Sequence, residues 1–491
     1  MTPAYSEEEK QADTRKKEEP KVPLEDVVTE TKHSIRIRGV HTDYTVRAGT
    51  MVMRNEKGEP KATIFYIAYT KDRAEDPARR PITFSFNGGP GSSSVWLHLG
   101  AFGPKRVLMD SEGHALPPPF VLVENEHTLL DVTDLVFIDP VTTGFSRPAP
   151  GEDPKQFHGV TEDMESVGDF IRLFVSREKR WASPKFLAGE SYGTTRAAGL
   201  SGYLQDRHGL YLNGIILISS VLDFQTLLFH PANDLPYFLY LPTYTATAWY
   251  HGKLPSDLQK DLHKTLAEVE AFAMNDYAMA LLKGDRLGDE RKEVRQALAR
   301  YTGLSEQYIE QTDLRVELHR FAKELLRDEN RTVGRLDSRF KGIDRDSAGE
   351  KFEFDPSYAT IQGAYTAAIN DYLGRELGYE SDLPYEILTD RVSPWNFGPA
   401  QNRYLNVAET LRMAMNQNPN LRVFVASGYY DMATPYMATR YTFDHMGLDL
   451  ELAKNVTIHH YEAGHMMYIR EASLEKLKND LTGFMNAALN R

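Results

Sequence analysis

The sequence predicts an α/β protein in which a mostly parallel central sheet is flanked by helices and interrupted by a helical cap insertion. Two observations support this prediction. Apolar runs and helical patterns succeed one another in residues 29–223 and again in residues 396–491, so these two segments form the predicted core. The intervening residues 224–395 are first aromatic and punctuated by prolines, then strongly helical, and they form the predicted cap.

The amino-terminal part of the chain predicts a tail followed by antiparallel strands. Residues 1–28 are polar and crowded with charged side chains, so we expect them to be flexible. Between residues 34 and 69, apolar side chains recur with period two on either side of a turn at residues 55–58. The tail contains no signal sequence, which favours a cytoplasmic location, or a periplasmic or secreted one if a signal has been removed.

The remaining core elements follow in strand–helix order. The predicted strands are apolar runs at residues 81–86, 135–139, 186–188, 214–219, 421–426 and 456–460. The predicted helices span residues 164–175, 194–205, 403–416, 435–446 and 473–488. In the cap, Ser256 and Gln259 predict a capping box that starts a helix reaching Leu282, and a second helix is expected from Ser305 to Arg327.

Composition excludes several classes of function. The 491 residues carry a net charge of −13, so the chain lacks the basic footprint of nucleic-acid-binding proteins. Because it contains no cysteine, disulfides, thiolate nucleophiles and iron–sulfur clusters are excluded. Its apolar runs are far too short to span a membrane. The adjacent histidines His459 and His460 have no further ligand pattern, so neither a metal site nor a cofactor is predicted.

The pentapeptide Gly189-Glu-Ser-Tyr-Gly193 is the most informative motif in the chain. It lies between an apolar strand and a helical segment, as the nucleophile elbow of α/β-hydrolases does. The tight turn needs glycine and holds the serine hydroxyl clear of the backbone. The motif therefore predicts the α/β-hydrolase fold with Ser191 as its nucleophile, and a serine in a surface loop is the simpler alternative.

A serine nucleophile needs a base and an acid, which this fold supplies in the order serine, acid, histidine. Asp431 and His465 each follow one of the last two predicted strands, so both are expected in loops at the carboxyl ends of those strands. Asp444 and Asp449 lie on or after a helix and are more simply explained as solvated residues. We therefore predict that Asp431 and His465 complete a catalytic triad.

The tetrahedral intermediate of acyl transfer also needs backbone donors. One donor is expected to be the amide of Tyr192, directly after the nucleophile. The other is expected in the glycine-rich loop Asn87-Gly-Gly-Pro-Gly91, which follows the strand at residues 81–86. A simple turn and a phosphate cradle are alternative interpretations of this loop, although the lysine and spacing of a P-loop are missing.

Together these motifs resemble those of the serine carboxypeptidase family of α/β-hydrolases, peptidase family S10, in a bacterial-type form without cysteines. The similarity extends from about residue 60 to the end of the chain and is loose in the cap. It rests on four groups of residues, namely Asn87-Gly-Gly-Pro-Gly-Ser-Ser-Ser94 with Gly103-Pro104, Phe137-Ile-Asp139 with Gly144-Phe-Ser146, the elbow, and Gly464-His-Met466.

The resemblance implies a serine-type carboxypeptidase that acts through an acyl-enzyme on peptide substrates with a free C-terminus, without a metal or cofactor. It implies three sets of site residues, which are the triad Ser191, Asp431 and His465, the oxyanion-hole amides of Gly89 and Tyr192, and a clamp for the substrate α-carboxylate made by Asn87, the Gly88 amide and Glu190. An amide and a carboxyl that keeps its proton can both hydrogen-bond a carboxylate.

Several positions depart from the family pattern. The family's cysteine in the glycine-rich loop is Ser92, and its tryptophan before that loop is Ser85. A second glutamate, which pairs with the elbow glutamate in the family, is replaced by Ala101. Arg196, in the helix after the elbow, could act as a cation near a substrate carboxylate or be an ordinary solvated residue.

These departures leave two rival functions open. An esterase or acyltransferase would use the same triad without reading a carboxylate, and a non-catalytic binding protein would keep only the scaffold. Because the family's acid pH preference is attributed to its glutamate pair, Ala101 predicts a pH optimum nearer neutrality. Four aromatic residues of the first cap segment could be pocket walls or core residues, namely Tyr237, Tyr240, Tyr244 and Trp249.

Overall fold

The computed structural model describes residues 24–400 and 402–490, so residues 1–23 of the predicted tail lie outside the described residues. The end of that predicted tail is ordered into a strand, because the first strand begins at Val27. Val27 pairs with Thr50 in the neighbouring strand. Strand pairing therefore starts earlier than the alternation from residue 34 predicts.

Nine strands line up in the central sheet of the described chain. In chain order they are β1 (Val27–Ile37), β2 (Val40–Arg54), β3 (Pro60–Lys71), β4 (Ile82–Phe86), β5 (Asp134–Ile138), β6 (Lys185–Ser191), β7 (Gly214–Ser220), β8 (Arg422–Gly428) and β9 (Val456–Tyr461). Their spatial order is β1-β2-β3-β5-β4-β6-β7-β8-β9, and the two-residue strand Arg147–Pro148 pairs beside β3. Two small hairpin sheets are formed by Lys105–Val107 with Leu122–Glu124 and by Thr332–Val333 with Lys341–Gly342.

The pairing of the strands changes once across this sheet, from antiparallel to parallel. β1, β2 and β3 pair antiparallel with one another, and β3 also pairs antiparallel with β5. From β5 through β4 and β6 to β9, all neighbours are parallel. Parallel neighbours need long crossover connections, which explains why helices separate these strands in the sequence.

The α-helices of the described chain alternate with the strands and fill the insertion. In chain order they are α1 (Val95–Leu97), α2 (Val160–Arg177), α3 (Tyr192–His208), α4 (Leu235–Tyr250), α5 (Leu262–Phe272), α6 (Ala278–Lys283), α7 (Glu290–Thr302), α8 (Glu306–Gln311), α9 (Leu318–Glu324), α10 (Pro356–Asp371), α11 (Ala408–Gln417), α12 (Tyr436–Asp444), α13 (Leu450–Ala453) and α14 (Glu471–Ala488). A π-helix at His98–Phe102 continues α1.

Helices cover both faces of the sheet. On one face, α2, α3 and α11 pack over strand residues that include Val136, Leu187 and Ile215. On the other face, α1, α10 and α14 pack over the next residues along the same strands, such as Phe137 and Ile216. Successive side chains of a strand point to opposite faces, so each strand contributes to both apolar layers. The mostly parallel sheet between two helical layers confirms the predicted fold class.

The segment predicted as the cap contributes to two different parts of the molecule. Helices α4 to α9 share a separate apolar core, to which Tyr240 and Tyr244 belong and against which Tyr237 and Trp249 pack. None of these four residues lines the cavity at Ser191, so they are core residues of the cap. Helix α10 instead joins the apolar layer of the sheet.

Two predicted cap helices are interrupted. Asp261, rather than Ser256, caps α5, because its side chain accepts a hydrogen bond from the amide of Lys264. A π-helical segment at Ala273–Tyr277 then interrupts the α-helical hydrogen bonding between α5 and α6. Ser305 caps α8 as the pattern predicts, but α8 and α9 are separate helices because Asp313 and Leu314 adopt positive φ angles between them.

Candidate active site

Ser191 ends β6 and caps α3 in a strained turn. Its φ of 58° and ψ of −129° lie outside the regions that non-glycine residues favour. A Cβ at Gly189 would lie 2.1 Å from the carbonyl oxygen of Gly193, so this turn closes only with glycine at position 189. The elbow therefore holds Ser191 at the carboxyl edge of the sheet and at the positive end of α3.

Asp431 and His465 lie in the loops after the neighbouring strands β8 and β9. Nδ1 of His465 donates a hydrogen bond to Oδ2 of Asp431 over 2.8 Å. Asp431 is completely buried, and its Oδ1 accepts hydrogen bonds from the amides of Ala433 and Thr434 at 2.8 and 2.9 Å. This arrangement fixes the tautomer of His465, because a carboxylate can only accept, and leaves Nε2 free to act as a base.

The backbone of His465 is anchored on both sides. Its amide donates to the carbonyl of Leu336 at 2.7 Å, and its carbonyl accepts from the hydroxyl of Ser219 at 2.6 Å. Burial lowers the pKa of His465, but the charge and hydrogen bond of Asp431 outweigh burial, so the pKa lies above its ordinary value. The imidazolium is therefore stabilised, as a base that receives a proton from a hydroxyl requires.

Ser191 and His465 line the same cavity, which has a volume of about 300 Å³. The loop at 87–92 and the elbow form one side of it. Other walls come from residues 335–336, helix α10 and the loop after β9. Of the eight residues predicted for the triad, the oxyanion hole and the clamp, all except Tyr192 and Asp431 line this cavity. Tyr192 is covalently bonded to Ser191, and Asp431 is hydrogen-bonded to His465.

The glycine-rich loop packs directly against the elbow. A Cβ at Gly88 would lie 2.4 Å from the backbone nitrogen of Tyr192, so only glycine allows this approach. The loop is also linked to the Phe137-Ile-Asp139 motif, because Oδ1 of Asp139 accepts hydrogen bonds from both the amide and the hydroxyl of Ser94 at 2.8 Å. The Gly89 segment thus lies beside the first turn of α3, whose amides have no intrahelical partners.

Glu190 is a buried carboxyl at the edge of the cavity. Oε1 accepts from the side-chain amide of Asn87 at 2.9 Å, and Oε2 accepts from the hydroxyl of Tyr468 at 2.6 Å. Burial raises the pKa of Glu190 to about 7, although both hydrogen bonds oppose this rise. The sequence analysis missed Tyr468, whose only signal is its place three residues after His465.

Ala101 follows Gly100, the residue that makes room for the ring of Tyr468. Ala101 is buried in the π-helix after α1. A Cβ at the preceding residue, Gly100, would lie 2.4 Å from the ring of Tyr468, so the small residue at 100 makes room for that ring. The position at which the family has its second glutamate therefore holds no carboxyl, and a tyrosine hydroxyl contacts Glu190 instead.

Arg196 is neither a cation near the substrate carboxylate nor a solvated residue, because it neither lines the cavity nor faces solvent. Both alternatives considered for it from the sequence are wrong. Its side chain is 1% exposed. Nε donates to Asp163 of α2 at 2.7 Å, and a terminal nitrogen donates to the carbonyl of Asn87 at 2.5 Å. Its guanidinium also stacks on the rings of Phe86 and Tyr192. Arg196 therefore joins α2, α3 and the glycine-rich loop.

The described residues contain no group of three or more histidines, aspartates or glutamates that could hold a metal ion. Among the helices that the structure describes, none has the length and apolar character needed to cross a membrane.

Comparisons with known proteins agree with the motifs. The family model described as serine carboxypeptidase matches residues 44–482. Serine carboxypeptidase-like 34 of Arabidopsis thaliana is 23% identical over 409 residues, which cover 79% of this chain and 72% of that protein. The pheromone-processing carboxypeptidase KEX1 of Saccharomyces cerevisiae is 30% identical over 158 residues, 30% of this chain and 20% of that protein.

A solved structure supports the fold. The crystal structure of KEX1(delta)p, a prohormone-processing carboxypeptidase from Saccharomyces cerevisiae, matches with a TM-score of 0.56 and 16% identity. The match covers 90% of this chain and 91% of that chain. With its family match over most of the sequence, its sheet and its elbow, the chain belongs to the serine carboxypeptidase family of α/β-hydrolases and is a serine hydrolase.

Proposed function

We propose that the protein is a serine-type carboxypeptidase that hydrolyses the last peptide bond of peptides with a free C-terminus. The observation that carries this proposal is the 2.8 Å hydrogen bond between Asp431 and His465, beside a cavity that Ser191 also lines. Family membership makes peptides the expected substrates.

In the proposed reaction, His465 accepts the proton of the Ser191 hydroxyl as that oxygen attacks the scissile carbonyl. Asp431 holds the Nδ1 proton and stabilises the imidazolium that forms. The amides of Gly89 and Tyr192 donate to the oxyanion of the tetrahedral intermediate. His465 then protonates the departing amino acid, and later activates the water that releases the shortened peptide from Ser191.

Asn87, the Gly88 amide and Glu190 form the proposed clamp for the substrate α-carboxylate. A protonated Glu190 can donate a hydrogen bond to that carboxylate, whereas an ionised Glu190 repels it. A pKa of about 7, caused mainly by burial, supports this role because Glu190 still carries its proton in much of the population at neutral pH. The hydrogen bond from Asn87 keeps the two clamp side chains together.

The test compares an N-blocked dipeptide carrying a free α-carboxylate with its C-terminal amide. We expect kcat/KM for release of the terminal residue to be about ten- to a hundredfold higher for the free acid, because charge-assisted hydrogen bonds are lost in the amide. Labelling of Ser191 by a fluorophosphonate reports the state of the nucleophile separately. Equal rates for acid and amide would contradict the clamp.

A serine esterase or acyltransferase with the same triad is the second candidate. Ala101 favours it, because the family's second glutamate is missing and the hydroxyl of Tyr468 occupies one oxygen of Glu190. This function predicts rapid fluorophosphonate labelling and ester hydrolysis together with equal, slow rates on the two dipeptides.

A further inference from the structure

Arg335 brings a positive charge to the wall of the cavity that Ser191 lines. It follows the short strand Thr332–Val333, is half-buried, and lies next to Leu336 in that wall. Within the described residues, its guanidinium forms neither an ion pair nor a hydrogen bond. Its five N–H donors are therefore available to solvent or to a ligand in the cavity.

The backbone of Arg335 is held in place from two directions. Its amide donates to Oδ1 of Asp355 at 3.1 Å, and its carbonyl accepts from the amide of Met432 at 3.1 Å. Met432 directly follows Asp431, and the carbonyl of Leu336 accepts from the amide of His465. The segment that carries Arg335 is therefore fixed to both loops of the proposed triad.

Asp355 and Glu190, the two carboxyl groups in the cavity wall, already accept hydrogen bonds from other groups. Asp355 caps helix α10, and its Oδ1 accepts from the amide of Ser357 at 3.0 Å and from the Ser357 hydroxyl at 2.5 Å, in addition to the amide of Arg335. Glu190, the other carboxyl in the wall, is occupied by Asn87 and Tyr468. Neither forms an ion pair with the Arg335 guanidinium within the described part of the chain.

On the basis of the proposed function, we propose that Arg335 binds a carboxylate of the substrate's C-terminal residue. A guanidinium fork matches a carboxylate with two parallel hydrogen bonds. This cavity contains both the nucleophile and the clamp, so the last residue of the substrate lies in it, with its α-carboxylate and its side chain both inside the same walls. The Arg335 guanidinium would recognise the substrate carboxylate, which Ala101 cannot do.

The test uses four substrates, N-blocked Ala-Glu and Ala-Gln, each as the free acid and as the C-terminal amide. Release of the terminal residue is measured for the native protein and for Arg335→Gln, Arg335→Lys and Arg331→Gln. Arg331 donates to the neighbouring carbonyl of Asn330 and lies outside the cavity, so Arg331→Gln is the matched control. Fluorophosphonate labelling and thermal unfolding show whether each variant is folded.

We expect Arg335→Gln to lose about ten- to a hundredfold in kcat/KM on substrates that carry the recognised carboxylate, with partial recovery in Arg335→Lys. If kcat/KM falls more for the free acids than for the amides, Arg335 binds the α-carboxylate. If it falls more for the Glu substrates than for the Gln substrates, Arg335 binds an acidic side chain. An equal loss on all four substrates, or no loss, would overturn the proposal. Failure of the native protein on every peptide would instead refute the proposed function, and the role of Arg335 with it.

Discussion

The cavity has two walls that are built in different ways. Ser191 ends a parallel strand, and Asp431 and His465 stand in loops directly after two others. Ser191 is held by the elbow turn, and the other two are held by backbone hydrogen bonds. The opposite wall comes from Arg335, Leu336 and helix α10, which belong to the long segment between β7 and β8. The comparison teaches that the edge of the sheet carries both the proposed triad and the proposed clamp, whereas Arg335 reaches the same cavity from a segment distant in sequence.

The largest effect is expected in the first wall. Ser191→Ala removes the proposed nucleophile and should lower kcat on the free-acid dipeptide by about 10⁴- to 10⁶-fold. Thermal unfolding should stay unchanged, because the Ser191 hydroxyl makes no hydrogen bond within the described part of the chain. Activity close to the native level would remove Ser191 from the mechanism.

Asp431→Asn should lower kcat by about 10⁴-fold, because the amide no longer holds the correct tautomer of His465. Loss of the negative charge should also lower the pKa of His465, which Asp431 keeps above its ordinary value. The residual activity should therefore extend to lower pH, as a pH–rate profile would show. Asp449→Asn, at the exposed cap of α13, is the control and should match the native protein.

Arg196→Met tests whether Arg196 stabilises the fold around the cavity or binds the substrate. The change leaves Asp163 buried without its partner, so the free energy of unfolding should fall by about 3–5 kcal/mol in denaturant titrations. Arg207→Met in the exposed last turn of α3 is the matched control and should change it by about 0.5 kcal/mol or less. Unchanged stability with a raised KM would assign Arg196 to substrate binding instead.

The pH dependence of the native protein separates the proposed base from the proposed carboxylate clamp. His465 must be neutral to act as a base, and its raised pKa moves the acid limb upward. Glu190 must keep its proton to hold a carboxylate, so kcat/KM for the free acid should fall about tenfold per pH unit above about 7. The amide should lack this alkaline limb. An optimum below about pH 5 for the free acid would contradict both assignments.

The smallest effect is expected from Tyr468→Phe. Its hydroxyl lowers the pKa of Glu190, so removing it should raise that pKa above about 7 and move the alkaline limb for the free acid to higher pH. We expect kcat/KM at neutral pH to change by about tenfold or less, the worth of one hydrogen bond. Tyr211→Phe, at an exposed position, is the control. An unmoved alkaline limb would show that Tyr468 has no influence on Glu190.

Much of the fold could be predicted because its signals are local. The apolar runs coincide with the parallel strands to within a few residues, since a strand buried on both faces must be apolar throughout. The elbow could be found for a similar reason, because its turn requires glycine at position 189. The helix start predicted from the capping box at Ser256 was wrong, because Asp261, a few positions later, caps the helix instead.

The sequence alone determined the fold class, the family motifs and the order of the proposed nucleophile, acid and base along the chain, because each is written in a few consecutive residues. Only the tertiary structure decided which side chains surround them. Tyr468 contacts Glu190 across 278 residues, and Arg196 contacts the carbonyl of Asn87 across 109. Such partners are chosen by packing between distant elements, for which neither period nor spacing in the sequence carries a signal.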